Sequence, residues 1–131
     1  MEQYIRPEEI LMIHARIIDA IGGAHGVRDV RLLASIAERP KMQFGGKDLY
    51  PGVFDKAASY FDSTARHHVF VDGNKRTAIT LAARFLFLNG YDLQTTDSLL
   101  EKFVLTAVLK RYDVKKTAVW LRKHSRRRVS H

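Results

Sequence analysis

Ala78-Ile79-Thr80-Leu81-Ala82-Ala83-Arg84-Phe85-Leu86-Phe87-Leu88 is the most apolar stretch of the chain. It follows directly on the most densely polar one, His68-Val69-Phe70-Val71-Asp72-Gly73-Asn74-Lys75-Arg76-Thr77. Apolar residues occupy nearly every face of a helix over 78–88, which predicts a central helix enclosed by others. Asn89-Gly90 reads as its C-terminal stop. Gly73-Asn74 breaks the preceding pattern, so the helix starts there. Its first backbone N–H groups then have no intrahelical acceptor and stand at the positive end of the helix dipole. Such an end attracts anions. An imidazole, a carboxylate, an amide, an ammonium and a guanidinium lie within the nine positions 68–76. That set can hold a metal-bound polyphosphate beside a base, which makes the junction the candidate active site.

Each residue has a role in that chemistry and a plainer reading beside it. His68 adjoins the anion-binding helix start, where a neutral imidazole can take a proton from an attacking hydroxyl. It is the candidate general base; the plainer reading is a histidine capping a helix end. Asp72 is a single carboxylate beside a phosphate site, the usual way magnesium is held. It could equally be a helix N-cap, a role Asn74 could also fill. Gly73 permits close backbone approach, and Gly73, Asn74 and Lys75 can present successive N–H groups as an anion nest. Arg76 offers a planar fork to phosphate and Lys75 a point charge. Phe70 anchors the loop in the core, and His67 reads as structural or exposed.

Outward from the site the chain reads as helices. Pro7-Glu8-Glu9 opens one. Ile10, Ile13, Ile17 and Ile21 mark its buried face up to Gly22-Gly23, with His14 beside that stripe as a packed or hydrogen-bonded residue without a functional role. The glycine-rich segment Gly22–Arg28 lacks the preceding strand of a dinucleotide-binding turn and reads as a connector. Asp29 caps a short helix that ends before Arg39-Pro40. Lys41–Pro51 has no helical periodicity but holds Gly45-Gly46, a turn signal that fits a small hairpin or an ordinary loop. Gly52 to Arg66 forms a helix that delivers the chain to His67-His68. Tyr91-Asp92-Leu93 is short and extended, Thr96 or Asp97 caps a further helix, and Asp113 caps the last one. The expected fold class is all-α, about six helices with a small hairpin.

Composition sets the outer limits. A chain of 131 residues makes one domain, expected as a body over 1–121 and a basic tail over 122–131. With no cysteine, disulfides, thiolate metal sites and a cysteine nucleophile are excluded, in keeping with a reducing cytoplasm. The start lacks the sections of a signal peptide, and the longest apolar run is too short to span a bilayer. The net charge of +8 invites nucleic acid. Its distribution argues against that partner: Arg122, Lys123, Arg126, Arg127 and Arg128 put five of those charges in the tail, which reads as a solvated segment.

His68-x-Phe70-x-Asp72-Gly73-Asn74-Lys75-Arg76 resembles the signature of the Fic/Doc family, and Lys75 makes it similar to the Doc branch. Many Fic proteins carry glycine at that position and a second arginine where this chain has Ile79. The resemblance covers roughly the first ninety residues and takes in Arg39-Pro40, Tyr50-Pro51 and Lys56-Ala57. It implies a protein kinase that transfers the γ-phosphate of ATP, with Mg2+, to a hydroxyl of a translation factor, elongation factor Tu. It also implies a toxin neutralised by a Phd-like antitoxin. On this reading His68 is the base, Asp72 the metal ligand, and Gly73, Asn74, Lys75 and Arg76 the phosphate contacts. The resemblance also implies that the hairpin over Met42–Tyr50 lies near the active site and aligns the target segment. Two alternatives stand beside it: a Fic-type AMP transferase, and a non-enzymatic basic nucleic-acid or ribosome-binding module. The self-inhibitory Ser/Thr-x-x-x-Glu pattern of many Fic proteins is absent, since Ser98-Leu99-Leu100-Glu101 has the wrong spacing. Control by a separate antitoxin is therefore expected.

Overall fold

A computed structural model describes residues 2–129. Among them six helices form: α1 (Pro7–Ile21), α2 (Val30–Glu38), α3 (Val53–Arg66), α4 (Asn74–Leu88), α5 (Asp97–Leu109) and α6 (Val114–Lys123), with a 3-10 turn at Arg39–Lys41. β1 (Gln43–Phe44) pairs with β2 (Lys47–Asp48), and β3 (Tyr91–Leu93) with β4 (Ser125–Arg127), both antiparallel. The expected helical domain with a small hairpin is the fold observed. No helix among the described residues is long and apolar enough to cross a membrane.

Local signals set the boundaries. Pro7 occupies the first turn of α1, where its missing N–H costs nothing. The Asp29 carboxylate accepts from the Arg31 N–H at 2.9 Å and Asp113 from the Lys116 N–H at 2.8 Å. Of the two candidates for the cap of α5, Thr96 takes the role, its hydroxyl accepting from the Leu99 N–H at 3.2 Å. Gly45 and Gly46 both have positive φ, 59° and 78°, as the tight two-residue hairpin turn between β1 and β2 requires.

The core is layered around α3 and α4, with α6 against α3 and α1 against α4. α4 buries Ala78, Ile79, Leu81, Ala82, Phe85 and Leu86. α3 is the more enclosed of the two: Phe54 and every residue from Lys56 to Phe61 are buried, as are Ser63, Thr64 and Ala65. Small side chains let neighbours close on it from several directions. Two of its hydroxyls are satisfied on its own backbone, Ser59 donating to the Lys56 carbonyl at 2.7 Å and Thr64 to the Tyr60 carbonyl at 2.8 Å.

Two expectations need correction. The buried stripe of α1 is Ile10, His14 and Ile18, not Ile10, Ile13, Ile17 and Ile21; Ile21 is 58% exposed. The i, i+4, i+8 row faces α4, which puts His14 in its centre. Nor is there a break at residue 122. α6 continues through Lys123, and Ser125–Arg127 pair with β3 in the register Leu93↔Ser125, Asp92↔Arg126, Tyr91↔Arg127. The Arg122 guanidinium lies over the Phe54 ring and that of Arg128 over the Phe87 ring. Backbone pairing and cation–π contact draw these basic residues onto the body. Ser130 and His131 of the expected tail lie outside the described residues.

Candidate active site

Residues 67–73 link α3 to α4, and two neighbouring segments hold this loop in shape. Val69 and Phe70 are fully buried and anchor it in the core. The glycine-rich segment after α1 runs alongside: Val27 bridges Phe70, the Arg28 N–H donates to the Val69 carbonyl at 2.7 Å, and the Val71 N–H to the Gly26 carbonyl at 3.0 Å. The expected connector is thus a brace for the site. From below, the His14 ring stacks on Phe70 with centroids 3.8 Å apart, and its Nε2–H donates to the Asp72 carbonyl at 2.8 Å. A carbonyl only accepts, so that nitrogen carries the proton. His14 is packed and hydrogen-bonded as expected, and it also positions the loop that carries Asp72.

Asn74 clasps the loop from inside α4. Its Oδ1 accepts from the Phe70 N–H at 3.0 Å and its Nδ2 donates to the Phe70 carbonyl at 2.9 Å. Both ends of the amide are therefore engaged with backbone, and the Asn74 N–H remains open to an anion. Gly73, the N-cap of α4, has φ 75° and ψ 21°, a left-handed conformation glycine adopts freely. A Cβ on Gly73 would stand 3.0 Å from Ile18 Cδ1, so close packing of α1 also calls for glycine there. No side chain caps α4, and the N–H groups of Asn74, Lys75 and Arg76 have no acceptor among the described residues. An open, positively polarised helix start results.

Asp72 lies beside that start. Its Oδ1 accepts from the Gly73 N–H at 2.9 Å and its Oδ2 from the Ala24 N–H at 3.2 Å, so it is positioned without capping α4. A Cβ on Gly23, where φ is 115°, would come within 2.6 Å of Asp72 Oδ2. Each carboxylate oxygen keeps lone-pair capacity for a cation. Among the described residues no group of three or more His, Asp or Glu side chains could cage a metal. One carboxylate beside an anion site nonetheless fits magnesium, which takes few protein ligands and completes its shell with phosphate oxygens and water.

His68, Asp72, Gly73, Asn74, Lys75 and Arg76 all line one open cavity of about 500 Å3. His68 is held at φ 47°, an uncommon conformation for a residue with a Cβ. The surrounding loop contacts must impose it, and strain of this kind collects at functional sites. Two arginines from outside the motif also line the cavity, Arg66 of α3 and Arg111 after α5. Neither stood out in the sequence, because nothing in a basic residue's neighbours in the chain tells which cavity it will enter.

On one side Lys75 and Arg76 also border a mixed slot of about 350 Å3 that sets Ile79, Leu100, Val104 and Leu105 beside Asp97 and Glu101. On the other, Arg66 and Arg111 border a cavity that reaches Leu49 and Tyr50 beside the hairpin. There Arg39 donates to Asp62 and to the Tyr50 hydroxyl, both at 2.8 Å. Burial opposes the charge of Arg39, but these partners outweigh it and raise its pKa.

Fold and site together define a class of protein: a helical domain in which a braced, histidine-bearing loop runs into the unpaired N-terminus of a buried helix. Residues 4–86 match the model of the Fic/DOC family, and the chain belongs to that family, on its Doc branch. It is 43% identical over 93 residues to Toxin Doc of Mycolicibacterium smegmatis, an alignment spanning 71% of this chain and 69% of that one. It is 35% identical over 96 residues to Protein kinase doc of Escherichia phage P1, spanning 73% and 74% respectively.

Proposed function

We propose that this protein is a Doc-type toxin and protein kinase, moving the γ-phosphate of ATP onto a Thr or Ser hydroxyl of a translation factor, with elongation factor Tu as the first candidate. The observation that carries this is the single cavity shared by His68, Asp72, Lys75, Arg76 and the unpaired start of α4. The relatives named toxin and protein kinase support the class of activity. A protein of this kind acts in the cytoplasm and is silenced by a separate, Phd-like antitoxin.

The residues divide the work as follows. The N–H groups of Asn74, Lys75 and Arg76 receive phosphate oxygens, and the side chains of Lys75 and Arg76 offset the charge. Asp72 would hold Mg2+, which supplies charge neutralisation at the phosphates. A ring nitrogen of His68 takes the proton of the acceptor hydroxyl as its oxygen bonds to the γ-phosphorus. The bond from that phosphorus to the bridging oxygen breaks, and ADP leaves. Transfer of this kind depends mainly on positioning and charge, which the braces from His14, Asn74 and the Gly26–Arg28 segment serve.

The test is to incubate the protein with Mg2+, elongation factor Tu and ATP labelled at either the α- or the γ-phosphate. Label from γ alone, lost in His68→Ala, is expected. Label from α would instead make the enzyme an AMP transferase. Absence of label from both would refute elongation factor Tu as target.

A further inference from the structure

Among the described residues only His68 and Arg111 combine a side chain with positive φ, 47° and 53°. Both line the 500 Å3 cavity. Arg111 closes α5: its N–H donates to the Val108 carbonyl at 3.3 Å, and the Tyr112 N–H donates to the Ala107 carbonyl at 2.9 Å. This is the helix ending whose left-handed position favours glycine. An arginine there costs conformational energy that glycine would not, so its side chain must serve something other than the turn.

The other arginines from outside the motif that border this region are already engaged. Arg66 donates to Asp62 and to the Tyr112 carbonyl, and Arg39 to Asp62, Tyr50 and Ser63. Arg111 is exposed to the cavity and has neither an ion pair nor a side-chain hydrogen bond among the described residues. Against Arg66, Lys75, Arg76 and Arg111 the cavity lining holds one carboxylate, Asp72. The cavity therefore has unspent positive charge, and Arg111 brings the part of it that comes from α5.

We propose that Arg111 is an oxyanion-binding residue of this site, a guanidinium fork that takes phosphoryl oxygens of the nucleotide alongside the N-terminus of α4. The proposal rests on the phosphate-handling reading above and extends it beyond the motif. The planar fork suits paired phosphate oxygens in a way an ammonium does not. The left-handed turn fixes where the side chain leaves the backbone.

The experiment is a calorimetric titration of magnesium triphosphate, the inorganic salt, into the full chain, comparing wild type with Arg111→Gly and Arg111→Lys, and with Lys115→Ala as a nearby basic control. Arg111→Gly is expected to melt at a temperature no lower than wild type, since glycine suits the turn, yet to bind roughly tenfold more weakly. Arg111→Lys should be intermediate and Lys115→Ala unchanged. Wild-type affinity in Arg111→Gly would overturn the proposal and leave the function above standing. A wild-type protein that fails to bind magnesium triphosphate would overturn both.

Discussion

His68 does two things that pull against each other. Its φ of 47° disfavours any residue with a Cβ, while the proposed reaction needs its imidazole. Replacing it by glycine should separate the two. Both His68→Gly and His68→Ala are expected to lose activity by about 10²- to 10⁴-fold, the usual contribution of a general base. His68→Gly should be the more stable variant by about 1 kcal/mol, since only alanine retains the left-handed penalty. Activity from the γ-label assay and a denaturant titration of each variant check this. Comparable activity in wild type and His68→Gly would remove His68 from the chemistry. The same loop shows which parts of a site a sequence discloses. The motif pointed to His68, Asp72 and the glycine because their chemistry is carried by neighbours in the chain. It did not separate the side chain of Asn74 from its N–H, nor find His14 beneath Asp72. The Asn74 role depends on how the loop folds back on Phe70, four positions away, and the His14 role on a contact across the fold, 58 positions from Asp72.

The hairpin of β1 and β2 is tied down by one buried ammonium. Lys56 on α3 is 1% exposed, and its Nζ donates to Asp48 Oδ2 at 3.1 Å and to the Tyr50 carbonyl. The Gln43 side chain and then Lys56 hold the Asp48 carboxyl below its ordinary value of 3.8. A carboxyl lowered in the fold adds stability that is complete above its unfolded value and lost as pH falls through its folded one. The latch is therefore expected to hold unchanged from pH 8 to pH 5 and to fail only in acid below 3.8. Hydrogen exchange at the Leu49 amide, which donates to the Met42 carbonyl at 2.8 Å, reads this directly after correction for intrinsic rate. Lys56→Met should lower that protection at neutral pH and abolish its acid dependence, while α3 stays protected. Full protection in Lys56→Met would show that the hairpin is held by other contacts. Lys56 also explains why α4 read as the central helix and α3 did not. Hydropathy ranks Phe85 and Leu86 above Ser59, Ser63 and Lys56, but burial follows available partners: Ser59 finds one in the Lys56 carbonyl, Ser63 in Arg39 and Lys56 in the hairpin.

At the scale of the whole molecule, the site and the C-terminal strand sit at opposite ends of α4. Its 15 residues separate those ends by roughly 22 Å at 1.5 Å per residue. β4 is weakly legible in sequence because Ser125-Arg126-Arg127 carries no alternation and no strand-favouring residue; only its partner β3 and the contacts around it make it a strand. The Gln94 N–H donates to the His124 carbonyl at 2.6 Å, the Arg128 N–H to the Gly90 carbonyl at 2.8 Å, and the Arg128 guanidinium covers Phe87 at 4.1 Å. Deleting residues 125–131 removes the last two of these and leaves β3 unpaired. The expected cost is about 2 kcal/mol, from a few net hydrogen bonds and a cation–π contact. Because α4 still carries its N-terminus into the same loop, activity per folded molecule should stay within about twofold of wild type at a temperature where the truncated chain is folded. Thermal melts and the γ-label assay on the same samples measure the two effects separately. A folded truncated protein that no longer labels its target would show that residues 125–131 take part in target labelling and do not only hold the fold. Retained labelling with a lowered melting temperature would assign these arginines to holding the fold.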